Sequence, residues 1–136
     1  MTVYVLDSSA LLRYIDDEAG SQRVEDILKA CVLGKVGVCI SEMQWGEVAG
    51  NIRHRFGAAD QSRILSAVLP SEVEIVPVTA QRAVQAAEMK VDRKIAYVDA
   101  IALELASETS DHVLVTADYG FKSVADLGTI EFLPSK

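Results

Sequence analysis

Val3-Tyr4-Val5-Leu6-Asp7-Ser8-Ser9-Ala10-Leu11-Leu12 runs four strand-forming residues into a carboxylate, two hydroxyls and then an apolar segment with helical spacing. A strand that passes within a few residues into a helix is the opening unit of an α/β fold. The carboxylate sits at the strand's exit, and open α/β sheets bind ligands along the edge where the strands end. Asp7 therefore occupies an active-site address. Asp7 or Ser8 would serve equally well as the cap of the helix that follows, so this stretch alone leaves both roles open.

Outward from that unit the same alternation continues. Short runs rich in β-branched residues fall at 3–6, 36–40, 73–76, 112–116 and 129–133, separated by segments of helical periodicity at 9–15, 21–33, 42–56, 58–68, 80–90 and 97–107. Strands separated by helices pair in parallel, so the expected fold class is α/β, with a central parallel sheet of about five strands flanked by helices. With three prolines in 136 residues, no low-complexity tract and no internal repeat, residues 1–136 read as a single domain.

Half of the residues are apolar, enough for a core and too many for intrinsic disorder. No stretch approaches the roughly 18 uninterrupted apolar residues of a membrane span, and the start lacks the basic segment of a secretory signal. A cytoplasmic protein without a membrane partner is expected. Cys31 and Cys39 have no zinc-like spacing and read as small buried hydrophobes. The formal charge of −7 speaks against a general basic surface for nucleic acid and suits a divalent-cation site. Arg53-His54-Arg55, with Arg93, Lys94 or Lys122, could form a local basic edge, although each charge singly reads as solvated.

Three further acids stand out. Glu47 lies on the segment opening at Glu42, beside an apolar stripe of Trp45, Val48, Ala49, Ile52 and Phe56, and forms a polar row with Asn51 and His54. Taken alone it is an ordinary surface glutamate, and Glu42 rivals it only if the helix is rotated. Asp99 is set among Val98, Ala100, Ile101, Ala102, Leu103 and Leu105, with the solvent face assigned to Glu104, Ser107 and Glu108. A carboxylate on the buried side needs free helix N–H groups, a basic side chain or a cation. A capping role is weakened because Ala102 stands where a capping box wants Glu or Gln. Asp118 closes the run from His112 to Ala117, two residues after Thr116, and could equally open a turn that Gly120 completes.

The four acids matter together. Carboxylates ~4 Å apart repel by about 4 kcal/mol per pair at an effective dielectric near 20, so a cluster requires protons or metal between its members. All-oxygen ligation suits Mg²⁺ or Mn²⁺, and two such ions would balance four carboxylates. Other α/β sites with acids at strand ends fit less well. A haloacid-dehalogenase-type phosphatase wants a second aspartate where Ser9 stands, a response-regulator receiver wants one where the chain runs Ile75-Val76-Pro77-Val78, and there is no glycine-rich phosphate loop.

Strand-Asp7-Ser8-Ser9, Ser41 with Glu47 six residues on, Tyr97-Val98-Asp99-Ala100 and Thr116-Ala117-Asp118-Tyr119-Gly120-Phe121, in that order, resemble the PIN-domain nucleases, and more narrowly the VapC-type toxins. The resemblance spans essentially the whole chain. It implies a PIN-like α/β/α sandwich in which Asp7, Glu47, Asp99 and Asp118 hold one or two Mg²⁺ or Mn²⁺ ions, with Ser9 and Thr116 supporting them. It further implies an endoribonuclease cleaving RNA phosphodiesters, a homodimer, and in the toxin branch a cognate antitoxin protein. Asp7 would be the central ligand, Asp99 and Asp118 would complete the set, and Glu47 would act directly or through a water. A non-catalytic PIN-like module binding RNA or protein, or a PIN nuclease of RNA maturation or decay, is the alternative.

Overall fold

β1 (Val3–Leu6) lies in the middle of a five-stranded sheet, and the rest of the chain is wound around it. The computed structural model describes residues 1–135. In chain order the elements are α1 (Ser8–Ile15), α2 (Ser21–Val32), β2 (Gly37–Ser41), α3 (Glu42–Phe56), α4 (Ala58–Ala67), β3 (Glu74–Val76), α5 (Ala80–Arg93), α6 (Tyr97–Ala106), β4 (His112–Thr116), a 3₁₀ segment (Tyr119–Leu127) and β5 (Thr129–Phe132). The strands stand in the order β3-β2-β1-β4-β5, and every pair is parallel. The chain builds outward from β1 to β3, then returns to the other side of β1 for β4 and β5. The reversal falls between β1 and β4, the place where open α/β sheets leave a crevice for ligands.

Alternate residues of each strand point to opposite faces, and both faces are covered. Val5, Cys39 and Leu114 pack with Ala102, Leu103, Leu105 and Ala106 of α6 and with Phe121 and Val124 of the 3₁₀ segment. Leu6, Val38 and Val115 face the other way, onto Ala10 of α1 and Val24, Ile27 and Leu28 of α2. Leu11 and Ile40 meet Val48 and Ile52 of α3. Outside α6 lies α5, joined to it through Ala86, Ala100 and Ile101. Truncating the fully buried Leu103 to Ala would cost about 2–5 kcal/mol. The turn before α2 needs a glycine: Gly20 has φ +90°, and a Cβ there would stand 2.8 Å from the Cβ of Leu133.

The expected strands and helices are all present, with ends that move by up to three residues. The largest move is in α5, which was expected over 80–90 and continues to Arg93 before Lys94 turns left-handed at φ +56°. The 3₁₀ segment was not anticipated. Two side chains lie on other faces than expected. Phe56, assigned to the apolar stripe of α3, is 47 % exposed, because the chain breaks at Gly57 (φ +87°) and starts α4 there. Glu104, assigned to solvent, is only 6 % exposed, because α5 covers that side of α6. Among the described residues, no helix is long and apolar enough to cross a membrane.

Candidate active site

The register sets the site. Leu6 pairs with Ile40 on one side and Val115 on the other, so the next step along each strand brings Asp7 level with Ser41 and Thr116. Asp7 is 3 % exposed. One of its oxygens accepts from the Ala10 amide at 2.9 Å and the Ser9 hydroxyl at 2.7 Å, and the other accepts from the Thr116 hydroxyl. It therefore caps α1 and also stands at the strand exit, so the two readings of this residue are compatible. Burial pushes its carboxyl above the usual range, against the three hydrogen bonds that favour the ionised form, and Asp118 adds to the rise.

Ser9 and Thr116 tie Asp7 to the loop that carries Asp118. While donating to Asp7, the Ser9 hydroxyl accepts from the Ala117 amide and the Thr116 hydroxyl from the Asp118 amide, each at 2.9 Å. Asp118 itself accepts from the Gly120 amide at 2.8 Å and caps the 3₁₀ segment, so it does open the turn.

Asp99 is the third residue of α6. The cap position of that helix is Ala96, so Asp99 is no N-cap, and no donor reaches its half-buried carboxylate among the described residues. Burial pushes its carboxyl up to about 6, and the charges of Asp118, Asp7 and Glu47 act in the same direction. Asp99 is therefore the residue on which the charges of the other three converge. Glu47, exposed in the second turn of α3, accepts from the Ser8 hydroxyl at 2.9 Å. The four are not a closed cage: among the described residues, no group of three or more acidic, histidine or cysteine side chains is set to hold a cation as it stands. The donor chemistry, carboxylates and hydroxyls alone, fits a hard divalent cation. The cysteines offer nothing here; both are buried and burial pushes the Cys39 thiol up to about 12.

Two residues of the site escaped the sequence reading. Ser8 contributes its hydroxyl to Glu47. Gln44 is 2 % exposed, and its amide accepts from the Ser8 backbone N–H at 2.8 Å while donating to the Val98 carbonyl at 2.7 Å. A signal existed: Gln44, Val48 and Ile52 follow one another at intervals of four, so a polar residue stood on the buried stripe. The suspected basic edge does not form as a unit. Arg55 binds Asp16 and Asn51, Arg53 binds Gln61, and Arg93 binds Asp126. Lys122 instead rests over the rings of Tyr119 and Phe132, at 4.9 and 5.9 Å from their centres, beside the Asp118 turn.

Comparison with known proteins identifies the family and the fold. The family model described as PIN domain matches residues 4–127. The fold is similar to that of VapBC2 from Rickettsia felis, solved bound to a promoter DNA fragment (TM-score 0.76, 16 % identity, 98 % of this chain and 100 % of that one). It is also similar to VapC20 from Mycobacterium tuberculosis, a Sarcin-Ricin loop cleaving toxin (TM-score 0.73, 20 % identity, 96 % and 99 %). FitAcB from Neisseria gonorrhoeae is a third such structure (TM-score 0.66, 17 % identity, 94 % and 96 %). No curated protein sequence matches.

Proposed function

The chain belongs to the PIN-domain family, and from that premise we propose that it is a Mg²⁺- or Mn²⁺-dependent endoribonuclease. One observation carries the reading: a half-buried carboxylate, Asp99, stands in the field of three other acids without a basic side chain among the described residues to answer it. Such an arrangement is costly unless a cation completes it. Asp7, Asp99 and Asp118 would hold the cation, and Glu47 would join directly or through a water. When bound, the cation polarises a water for attack and offsets charge on the scissile phosphate. The chain's own part is to hold the acids in register. Ser9 and Thr116 keep Asp7 aligned and bind the Ala117 and Asp118 amides to it, and Asp99 and Glu47 approach from α6 and α3.

The cellular reading is a toxin of a toxin-antitoxin pair acting in the cytoplasm. Support comes from the fold's neighbours, among them a toxin-antitoxin complex from Klebsiella pneumoniae. An antitoxin would find apolar surface in the 490 Å³ groove between α2 and α4, where Leu28, Val32, Leu33 and Val68 line the walls. Homodimerisation belongs to the same proposal, since Val84 and Val91 leave an exposed apolar stripe along α5, 58 % and 72 % open. Sedimentation of the purified protein as a monomer at micromolar concentration would remove that part.

The test of the activity is cleavage of mixed total RNA by purified protein with Mg²⁺, Mn²⁺ or EDTA, comparing wild type with Asp7→Asn and Asp99→Asn. Discrete metal-dependent products from the wild type alone are expected. Identical behaviour of the three folded proteins in both metals would refute the nuclease.

A further inference from the structure

Gln44 spans the gap between the two chain segments that carry Asp7 and Asp99. Its own backbone is fixed at the start of α3, where the Gln44 amide donates to the capping hydroxyl of Ser41 at 3.1 Å. From there the side chain reaches in two directions. Its oxygen takes the Ser8 N–H, the peptide directly after Asp7, and its nitrogen gives to the Val98 carbonyl, the peptide directly before Asp99. Both bonds are short, and the residue is buried, so the amide cannot rotate without leaving a backbone group unpaired. Ser8 is held a second time through its hydroxyl on Glu47, one turn further along α3.

Packing alone does not explain the residue. Gln44 continues the row of Val48 and Ile52, and a Leu or Met of similar volume would fill the same space without the cost of burying an amide. What an apolar side chain could not do is fix the separation between the α1 and α6 N-termini. We propose that Gln44 is a positioning residue that sets the distance between Asp7 and Asp99, and so the span across which the pair can share a cation. This rests on the metal-dependent reading above. It gives Gln44 no contact with substrate.

The discriminating substitution is Gln44→Met, which keeps the volume and removes both bonds. Val24→Ala, on α2 in the core over Leu6 and Ala10, serves as a variant destabilised by a cavity while both Gln44 bonds stay in place. Three quantities are read: amide hydrogen exchange at residues 8–10 and 98–100 in the metal-free protein, Mn²⁺ affinity by water-proton relaxation, and RNA cleavage at saturating Mn²⁺. Gln44→Met should exchange faster at both segments and bind Mn²⁺ roughly 10–100-fold more weakly, the range typical when a partner of a metal ligand is lost. High Mn²⁺ should restore part of its cleavage, and Val24→Ala should keep wild-type affinity. If Gln44→Met does not fold, Gln44→Asn, which keeps the amide and loses the reach, should weaken Mn²⁺ in the same way. Wild-type affinity in the Gln44 variant, or an equal loss in Val24→Ala, overturns the positioning role while leaving the nuclease intact. A wild type that takes up no Mn²⁺ and cuts no RNA overturns both.

Discussion

Asp99 and Glu104 sit on the same helix, five residues apart, and the fold treats them in opposite ways. Glu104 is nearly inaccessible, and Arg82 of α5 comes down to it with one nitrogen 3.1 and 3.2 Å from its two oxygens while reaching Glu108 at 2.9 Å with another. Asp99, less deeply placed, has no basic partner among the described residues and lies in the field of Asp118, Asp7 and Glu47. At one end of α6 the protein neutralises a buried acid internally. At the other it leaves the carboxylate without an internal counter-charge among the described residues, and on the proposed reading the difference separates an acid that holds the fold from an acid that meets a cation.

The sharpest way to test that contrast is to remove the charge at each end. Asp99→Asn should lower RNA cleavage by about a thousandfold or more, some 4 kcal/mol of barrier, while raising the melting temperature of the metal-free protein. A variant that cuts RNA as well as wild type would erase the distinction. Arg82→Met should act in reverse, costing about 3 kcal/mol in urea denaturation because it strands Glu104 in the interior, with Mn²⁺ uptake unchanged. Adding Glu104→Leu should recover most of the loss.

Acidity offers a smaller effect with a definite sign. The Asp99 carboxyl is raised from 3.8 to about 6 in the folded chain, so the native state holds this proton more tightly than the unfolded one. Its penalty is absent below about pH 4 and fully present above about pH 6, and Asp7 moves in the same direction. Metal-free protein should therefore lose stability as pH rises through that window, by a few degrees in melting temperature, and Asp99→Asn should flatten the loss. Mn²⁺ should oppose the trend, stabilising little at pH 5 and fully at pH 7, since protons and the cation compete for the same oxygens. A Mn²⁺ effect equal at both pH values would exclude the ionised Asp99 from the site. The smallest expected change comes from Lys122→Ala, at the rim of the acid edge. If Lys122 meets an RNA phosphate, its loss should weaken binding roughly threefold and reduce the salt dependence by about 0.7 in log-log slope; an unchanged slope would leave Lys122 as packing for Tyr119 and Phe132.

Much of this was legible in the chain because periodicity reports burial. The run 97–107 reads as a helix with an acid on its apolar side, and the order of strands and helices leads to the parallel sheet. What periodicity does not report is the neighbour on the far side of a helix. Glu104 reads as a solvent residue because nothing local reveals that α5 lies over it, and Phe56 reads as core because the break at Gly57 comes just after it. Gln44 shows the same limit from the polar side, since its two partners are 36 and 54 residues away. The 3₁₀ segment carries its signal in Phe121, Val124 and Leu127, three apart and all packed on the core, a spacing too short to separate from a loop without the cap that Asp118 supplies.

The central position of β1 also bears on how the molecule is born. β1 leaves the ribosome first, and its pairing with β2 can form early, but the Thr116 hydroxyl that aligns Asp7 belongs to a residue 109 positions later. Asp99 and Asp118 are late as well. Synthesis of α4, β3 and α5 thus intervenes between the first two acids and the other two. A chain that stops before α6 carries Asp7 and Glu47 but neither Asp99 nor Asp118, so on the proposed reading translation itself delays the appearance of a completed nuclease centre.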